Sequence, residues 1–252
     1  MHEHPKLTIR AFRAVDEPAT CALFVSRHRA VLESIGISNV TTNNDTWCQD
    51  PDTYVIVAES PLHGMVGGIR LEVSRGGRLL PITRALVGMD PRIEQRIEEL
   101  SRNGTAEICG LWNDHLINGR GLPILLSFAA VSIANQINIG SLTCLVAHYT
   151  LRHALRVGFT LMEDIGDGGT FTYPIPSIKA IAMVIPDSIS LDTATIANRQ
   201  QLLSLRVRPE QTKIQSPSGY PLEVTYSLIV DRKIISITPY RIIEEERLRF
   251  SA

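Results

Sequence analysis

The chain has 252 residues, 44% of them hydrophobic and 20% charged, a mixture that fits a globular protein with room for a sizeable buried core. Its 25 basic and 26 acidic residues leave a formal net charge of −1, so no cationic excess points to nucleic acid or to an acidic membrane face. No stretch approaches the roughly 20 apolar residues that span a bilayer. The start Met1-His2-Glu3-His4-Pro5 has no basic run followed by an apolar one, so a cytoplasmic protein is expected.

In chain order, Leu7–Phe12 alternates as a half-buried strand does. A helix follows, with Cys21, Phe24, Val25, Val31, Leu32 and Ile35 along one stripe, Asp16 placed to cap it and Gly36 to stop it. The polar stretch Ser38–Asp52 reads as loop. Tyr54–Glu59 and Gly67–Val73, joined by a turn at Ser60–Gly64, form a hairpin. A surface helix runs from about Pro91 to Asn103, with Asp90 as its cap and Gly104 as its end. Thr105–Trp112 is a third strand, Pro123 to about Asn138 an apolar helix, and Leu142–Ala147 a strand covered on both faces. A helix over Thr150–Val157 ends at Gly158-Phe159, and Ala180–Ile185 is another buried strand.

Beyond Pro186 the character changes. Leu191–Val207 reads as a helix whose end, at Arg206-Val207-Arg208, is solvated. Pro209–Pro221 reads as loop and Leu222–Leu228 as a strand. The expected division is residues 1–186 as the main domain and 187–252 as an extension. That extension either docks on the core or acts as a lid, and its strand offers an edge to a second copy, as in a homodimer. The whole is an α/β chain with a mixed sheet flanked by helices. Cys21, Cys48, Cys109 and Cys144 are scattered, with no paired histidines nearby, and are read as plain thiols; no metal is expected.

The junction of greatest chemical interest is strand, then Asn118-Gly119-Arg120-Gly121-Leu122-Pro123, then helix. Glycines permit close approach of the backbone, and the helix start supplies N–H groups and the positive end of a dipole. This combination suits a phosphate or diphosphate and is also a common structural connector. It is neither a Walker A loop, since no Gly-Lys-Ser/Thr follows, nor a dinucleotide fingerprint.

Here the sequence resembles the GNAT acyltransferases. Their fourth strand enters a loop of the form Arg/Gln-x-x-Gly-x-Gly/Ala, onto which Asn118–Pro123 can be laid, and their closing segment ends in Gly-Phe, as Gly158-Phe159 does here. The resemblance spans about Leu7 to Pro186. It implies a GNAT-like, mostly antiparallel central sheet flanked by helices, with a C-terminal extension. It implies acetyl-CoA or another acyl-CoA as co-substrate, held by Leu111, Trp112, Asn113, Asn118, Gly119, Arg120, Gly121 and Leu122. Asn118 replaces the usual Arg or Gln, and Pro123 has no N–H to give. The loop is therefore expected to offer fewer donors, with Arg120 pairing with a phosphate in part compensation.

Transfer of an acyl group to an amine needs a base for the ammonium and an acid for the departing thiolate. Glu107 resembles the strand glutamate that serves as base in histone-type acetyltransferases, and burial would suit it to the work; the other reading is a glutamate facing water. The family's usual tyrosine position holds Ala154, so Tyr149, or His148, is the candidate acid. Asp114 and His115, just before the loop, are further polar neighbours of the site. Gly67-Gly68-Ile69-Arg70-Leu71 and Leu79-Leu80-Pro81 resemble acyl-homoserine-lactone synthases. Three readings follow: an acyl-CoA-dependent N-acyltransferase, in first place an acetyltransferase, acting on a small-molecule amine by direct attack; an acyltransferase fed by acyl carrier protein; and a CoA-binding module without turnover.

Overall fold

A computed structural model of the chain describes residues 4–37 and 44–231, together with 241–243, 245 and 249. The start of the chain at 1–3, and residues 38–43 of the expected polar loop, lie outside the described residues.

The strands are β1 (Lys6–Arg13), β2 (Thr53–Ser60), β3 (Gly64–Val73), β4 (Thr105–Asn113), β5 (Ser141–Ala147), β6 (Thr160–Leu161), β7 (Thr170–Thr172), β8 (Lys179–Ile185), β9 (Glu210–Gln215) and β10 (Leu222–Ser227). They form one sheet in the order β6-β8-β5-β4-β3-β2-β1-β10-β9, with β7 also on β8. The β1–β10 and β4–β5 pairings are parallel, and the other described pairings are antiparallel. The helices are α1 (Pro18–Ser34), α2 (Pro81–Leu86), α3 (Arg92–Ser101), α4 (Leu122–Ile133), α5 (Leu151–Arg156) and α6 (Ile196–Val207).

Alternation along the strands sends side chains to two cores. On one face Leu7, Ile9, Ile56 and Ala58 meet α4 and α6. On the other, Phe12, Val55 and Val57 meet Phe24 of α1 and Trp47, while Ile93 and Ile97 of α3 close the same face further along with Ala182 and Val184. Gly67 and Gly68 let both helical layers approach β3. A Cβ on Gly67 would lie 2.7 Å from Leu122 of α4, and one on Gly68 would lie 2.4 Å from the Phe24 ring.

Several expectations need correction. Asp16 sits in a short 3-10 turn, and Glu17 precedes α1 without a side-chain cap. Asp90 stands one residue outside the cap of α3, yet its carboxylate accepts from the Arg92 and Gly166 backbone N–H groups. Glu210–Gln215, expected as loop, is the edge strand β9; its pairing with β10 supplies the structure that its polar sequence hides. β10 lies between β1 and β9, so it has no edge to offer a second copy. Arg206 is not solvated. It is 5% exposed and donates to the carbonyls of Val131, Ser188 and Ile189, tying α6 to the end of α4. The last turn of the expected α4 is a 3-10 segment ending at left-handed Asn138.

Candidate active site

The site originates in β4. Against β3, the step from Gly68 to Arg70 is matched by the longer step from Trp112 to Cys109, so β4 carries one extra residue. Gly110, at φ 62, absorbs it, as glycine does in a bulge. The bulge is braced by Arg70, whose guanidinium would be 2.3 Å from a Cβ at Gly110. On its other side β4 pairs with β5 only from Thr105 to Glu107, opposite Ser141 to Thr143. Beyond that point the two strands part.

A cavity of about 760 Å³ fills the gap. It is lined from both faces of the sheet: by Asn118, Gly119, Gly121, Ile124 and Ser127 on one, and by His28, Val31 and Leu32 of α1, with Ile35 just past its end, on the other. Val31 and Leu32 are half-buried and Ile35 is 56% exposed. The second half of the α1 stripe thus borders the cavity, with Val31 also packed against the Phe24–Trp47 core.

Glu107 marks the last pair before the strands part. It is 2% exposed and lines the cavity. One carboxyl oxygen accepts the Ile82 N–H at 2.6 Å, in the first turn of α2. Burial pushes its pKa from 4.5 up to about 8; the Ile82 hydrogen bond and Arg70 pull down, and neighbouring Glu72 pushes further up. It is therefore not a glutamate facing water. A carboxyl in this range exchanges a proton near neutral pH.

Beneath it lies a charged network that the sequence reading passed over. Arg70 is fully buried, pairs with Glu72 at 2.8 Å and stacks over Trp47 at 4.8 Å. Glu72 also pairs with Arg78, and Arg78 with Asp50. Phe24 joins Trp47, Trp112 and His28 in edge-to-face contacts. Burial, with the Arg70 charge adding to it, lowers His28 to about 3, so it is neutral at physiological pH. The spacing Cys21, Phe24, His28 along the buried side of α1 was a readable signal for His28, and a lone Trp47 in a polar stretch was one for the aromatic cluster.

The other expected residues fall around the same gap. Leu111 is half-buried on its wall and Trp112 is 3% exposed on its floor. Asn113 donates to the Asn118 side-chain oxygen at 2.8 Å, so these two join the strand end to the loop. The N–H groups of Asn118 and Arg120 are used within the turn, on His115 and Ile117. No described hydrogen bond engages the N–H of Gly119, Gly121 or Leu122, at the start of α4. That trio, with Arg120 alongside, suits phosphate oxygens. Tyr149 is 52% exposed at the cavity's rim, edge-on to His148. Asp114 is engaged in capping Leu116, and His115 beside it reaches the Asp114 carboxylate at 2.9 Å while 83% of its side chain faces solvent. Ala154, at the position where the resemblance led to a tyrosine being expected, lines the cavity, and next to it His153 is 8% exposed, with a ring nitrogen that no described group partners. Among the described residues no three His, Cys, Asp or Glu side chains gather as a metal site, and no helix is long and apolar enough to cross a membrane.

A bulged β4 parting from a parallel β5, with a glycine loop and helix start at the mouth, defines the GNAT fold, and solved structures agree. The chain is similar to FeeM, an N-acyl amino acid synthase from uncultured soil microbes, at 17% identity and a TM-score of 0.58, over 77% of this chain and 98% of that one. It is also similar to BjaI, a CoA-dependent acyl-homoserine lactone synthase, solved with SAM and isopentyl-CoA, at 15% identity and a TM-score of 0.51, over 94% and 99% of the two chains. The same synthase with MTA matches at 15% identity and a TM-score of 0.51, over 96% and 100%. At these identities the likeness is one of fold. No family model and no curated protein sequence matches the chain.

Proposed function

We propose that this protein is an N-acyltransferase that moves an apolar acyl group from a CoA thioester to the amine of a small molecule. The observation that carries the reading is the cavity between β4 and β5, with Glu107 at its apex, the Gly119, Gly121 and Leu122 amides at its mouth and apolar walls between. The donor's phosphates sit on those amides and beside Arg120, and its thioester reaches into the gap. The amine enters from the α1 side. Glu107, as carboxylate, takes the ammonium proton, and the free amine attacks the thioester directly. Holding both substrates in one complex supplies much of the rate. Tyr149 is the candidate to return a proton to the departing thiolate.

Between the glycine loop and Glu107 the cavity walls are apolar, formed by Val31, Leu32, Ile35, Ile124, Val146 and Ile178. This favours a longer acyl chain over acetyl, in keeping with FeeM and BjaI, whose names carry acyl rather than acetyl products. The test is a thermal-shift series with CoA and acyl-CoAs of increasing chain length, followed by an amine panel. Stabilisation should grow with chain length. No shift with any of them sinks the reading, and a maximum at acetyl-CoA sinks the preference for long chains. Turnover with acyl carrier protein alone would move the donor to that class.

A further inference from the structure

The six-residue turn 216–221 between β9 and β10 lies across the glycine loop. Gly121 packs so tightly beneath it that a Cβ there would be 2.6 Å from the Ser218 hydroxyl and 2.8 Å from the Pro217 ring. The Arg120 guanidinium stacks on the Tyr220 ring at 5.1 Å. Arg156, on α5 and also lining the cavity, donates to the Pro217 carbonyl at 3.4 Å. From His115 to Met162 the sequence holds no Asp or Glu, and neither arginine has an acidic partner among the described residues. Two cations flanking the proposed phosphate site are thus held by neutral groups, a ring face and a carbonyl. Both holds are weaker than a charge-assisted pair with a phosphate oxygen.

We propose that turn 216–221 is a reversible strap over the donor site. In the free protein Tyr220 and Pro217 occupy Arg120 and Arg156; when a donor binds, its phosphates take both arginines and release the turn. The proposal rests on the donor reading above. Releasing the turn breaks no rung of the sheet, because the β9–β10 ladder ends at Gln215 and Leu222, and the turn's own backbone bond, Gly219 N–H to the Ser216 carbonyl, stays within it. Tyr220 is already 59% exposed. Strap and donor then oppose each other by a fixed factor, reciprocal in both directions.

The test uses the full chain, with CoA and inorganic pyrophosphate as probes, so that no turnover intervenes. Tyr220→Ala removes the competing ring and should tighten CoA binding about two- to fivefold, the worth of an exposed cation–π contact. Tyr220→Phe keeps the ring and should bind as wild type. In wild-type protein, CoA should speed hydrogen exchange of the amides at 218–220. If Tyr220→Ala binds CoA equally or more weakly, and CoA slows exchange in the turn, the turn is a fixed wall and the strap is overturned while the donor reading stands. Wild-type protein that binds neither CoA nor pyrophosphate overturns both. Tyr220 lies at the surface, so an unfolded variant is not expected; a melting temperature matching wild type verifies this.

Discussion

Replacing Glu107 by Gln separates what this side chain does for chemistry from what it does to the fold. The amide keeps the shape and keeps an oxygen for the Ile82 N–H, now at 2.6 Å from the carboxyl. In the wild type, burial holds the carboxyl at about 8 against 4.5 in the exposed group. The sign follows from proton counts. Below 4.5 the native and unfolded chains both hold the proton, so stability does not depend on pH through this group. Between 4.5 and about 8 the unfolded chain releases it and the native one keeps it, so wild-type stability falls across that window and levels off above it. At about 1.4 kcal/mol per pH unit the gap makes roughly 5 kcal/mol, an upper figure because buried sites relax and admit water. Glu107→Gln has no proton to release. Urea denaturation of both proteins should show curves that diverge from about pH 5 to about pH 8, with the Gln variant gaining on the wild type throughout. Acyl transfer by the same variant should fall by about 10²–10⁴. Parallel stability curves would refute the raised carboxyl, and undiminished turnover would refute its role as base.

Other substitutions probe the scaffold of the site. Arg70→Leu removes the buried partner of Glu72 and the cation over Trp47, and should cost about 3–5 kcal/mol in urea denaturation. Gly119→Ala and Gly121→Ala compare two glycines of nearly equal φ, 75 and 76. The first meets open space, so left-handed strain of about 1–2 kcal/mol is its whole effect; the second also drives a methyl into Ser218 and Pro217 and should melt at a visibly lower temperature. Tyr149→Phe should lower kcat by about tenfold or more, with CoA affinity unchanged, if its hydroxyl supplies the leaving-group proton; an unchanged kcat would return Tyr149 to a structural role.

The strands with strong apolar patterns, β4, β5 and β8, could be read from sequence within a residue or two, because both their faces are covered. The hairpin of β2 and β3 was readable for a different reason, its turn residues. What escaped was structure imposed by partners. β9, with the sequence Glu-Gln-Thr-Lys-Ile-Gln, has no apolar alternation because its outer edge and one face meet solvent; only β10 beside it makes it a strand. α2 is a single six-residue piece opened by Pro81, too short for any periodicity to show. Around the site, the glycine loop was visible as local chemistry. The Arg70–Glu72–Arg78–Asp50 network was not, because it joins β3, the turn that follows it and the segment before β2, which only the folded sheet brings together. Arg70 and Arg206 show the same limit: a long cationic side chain reads as surface, and its burial is decided by what surrounds it.

The parting of β4 from β5 has a mechanical consequence. Three residue pairs join the β9-to-β4 side of the sheet to the β5–β8 side, a short joint that would be the hinge of any spreading. From Glu107 to Asn113 the open arm of β4 is about 20 Å long at the usual rise per residue. Spreading the arms to admit a thicker guest displaces their tips most and the hinge least. Glu107 sits at the hinge, where that displacement is smallest. On the proposed function, donors of different girth would enter at the mouth while Glu107 keeps its place relative to Ile82, so tolerance toward the acyl group and a constant proton-handling geometry would arise from a single lever.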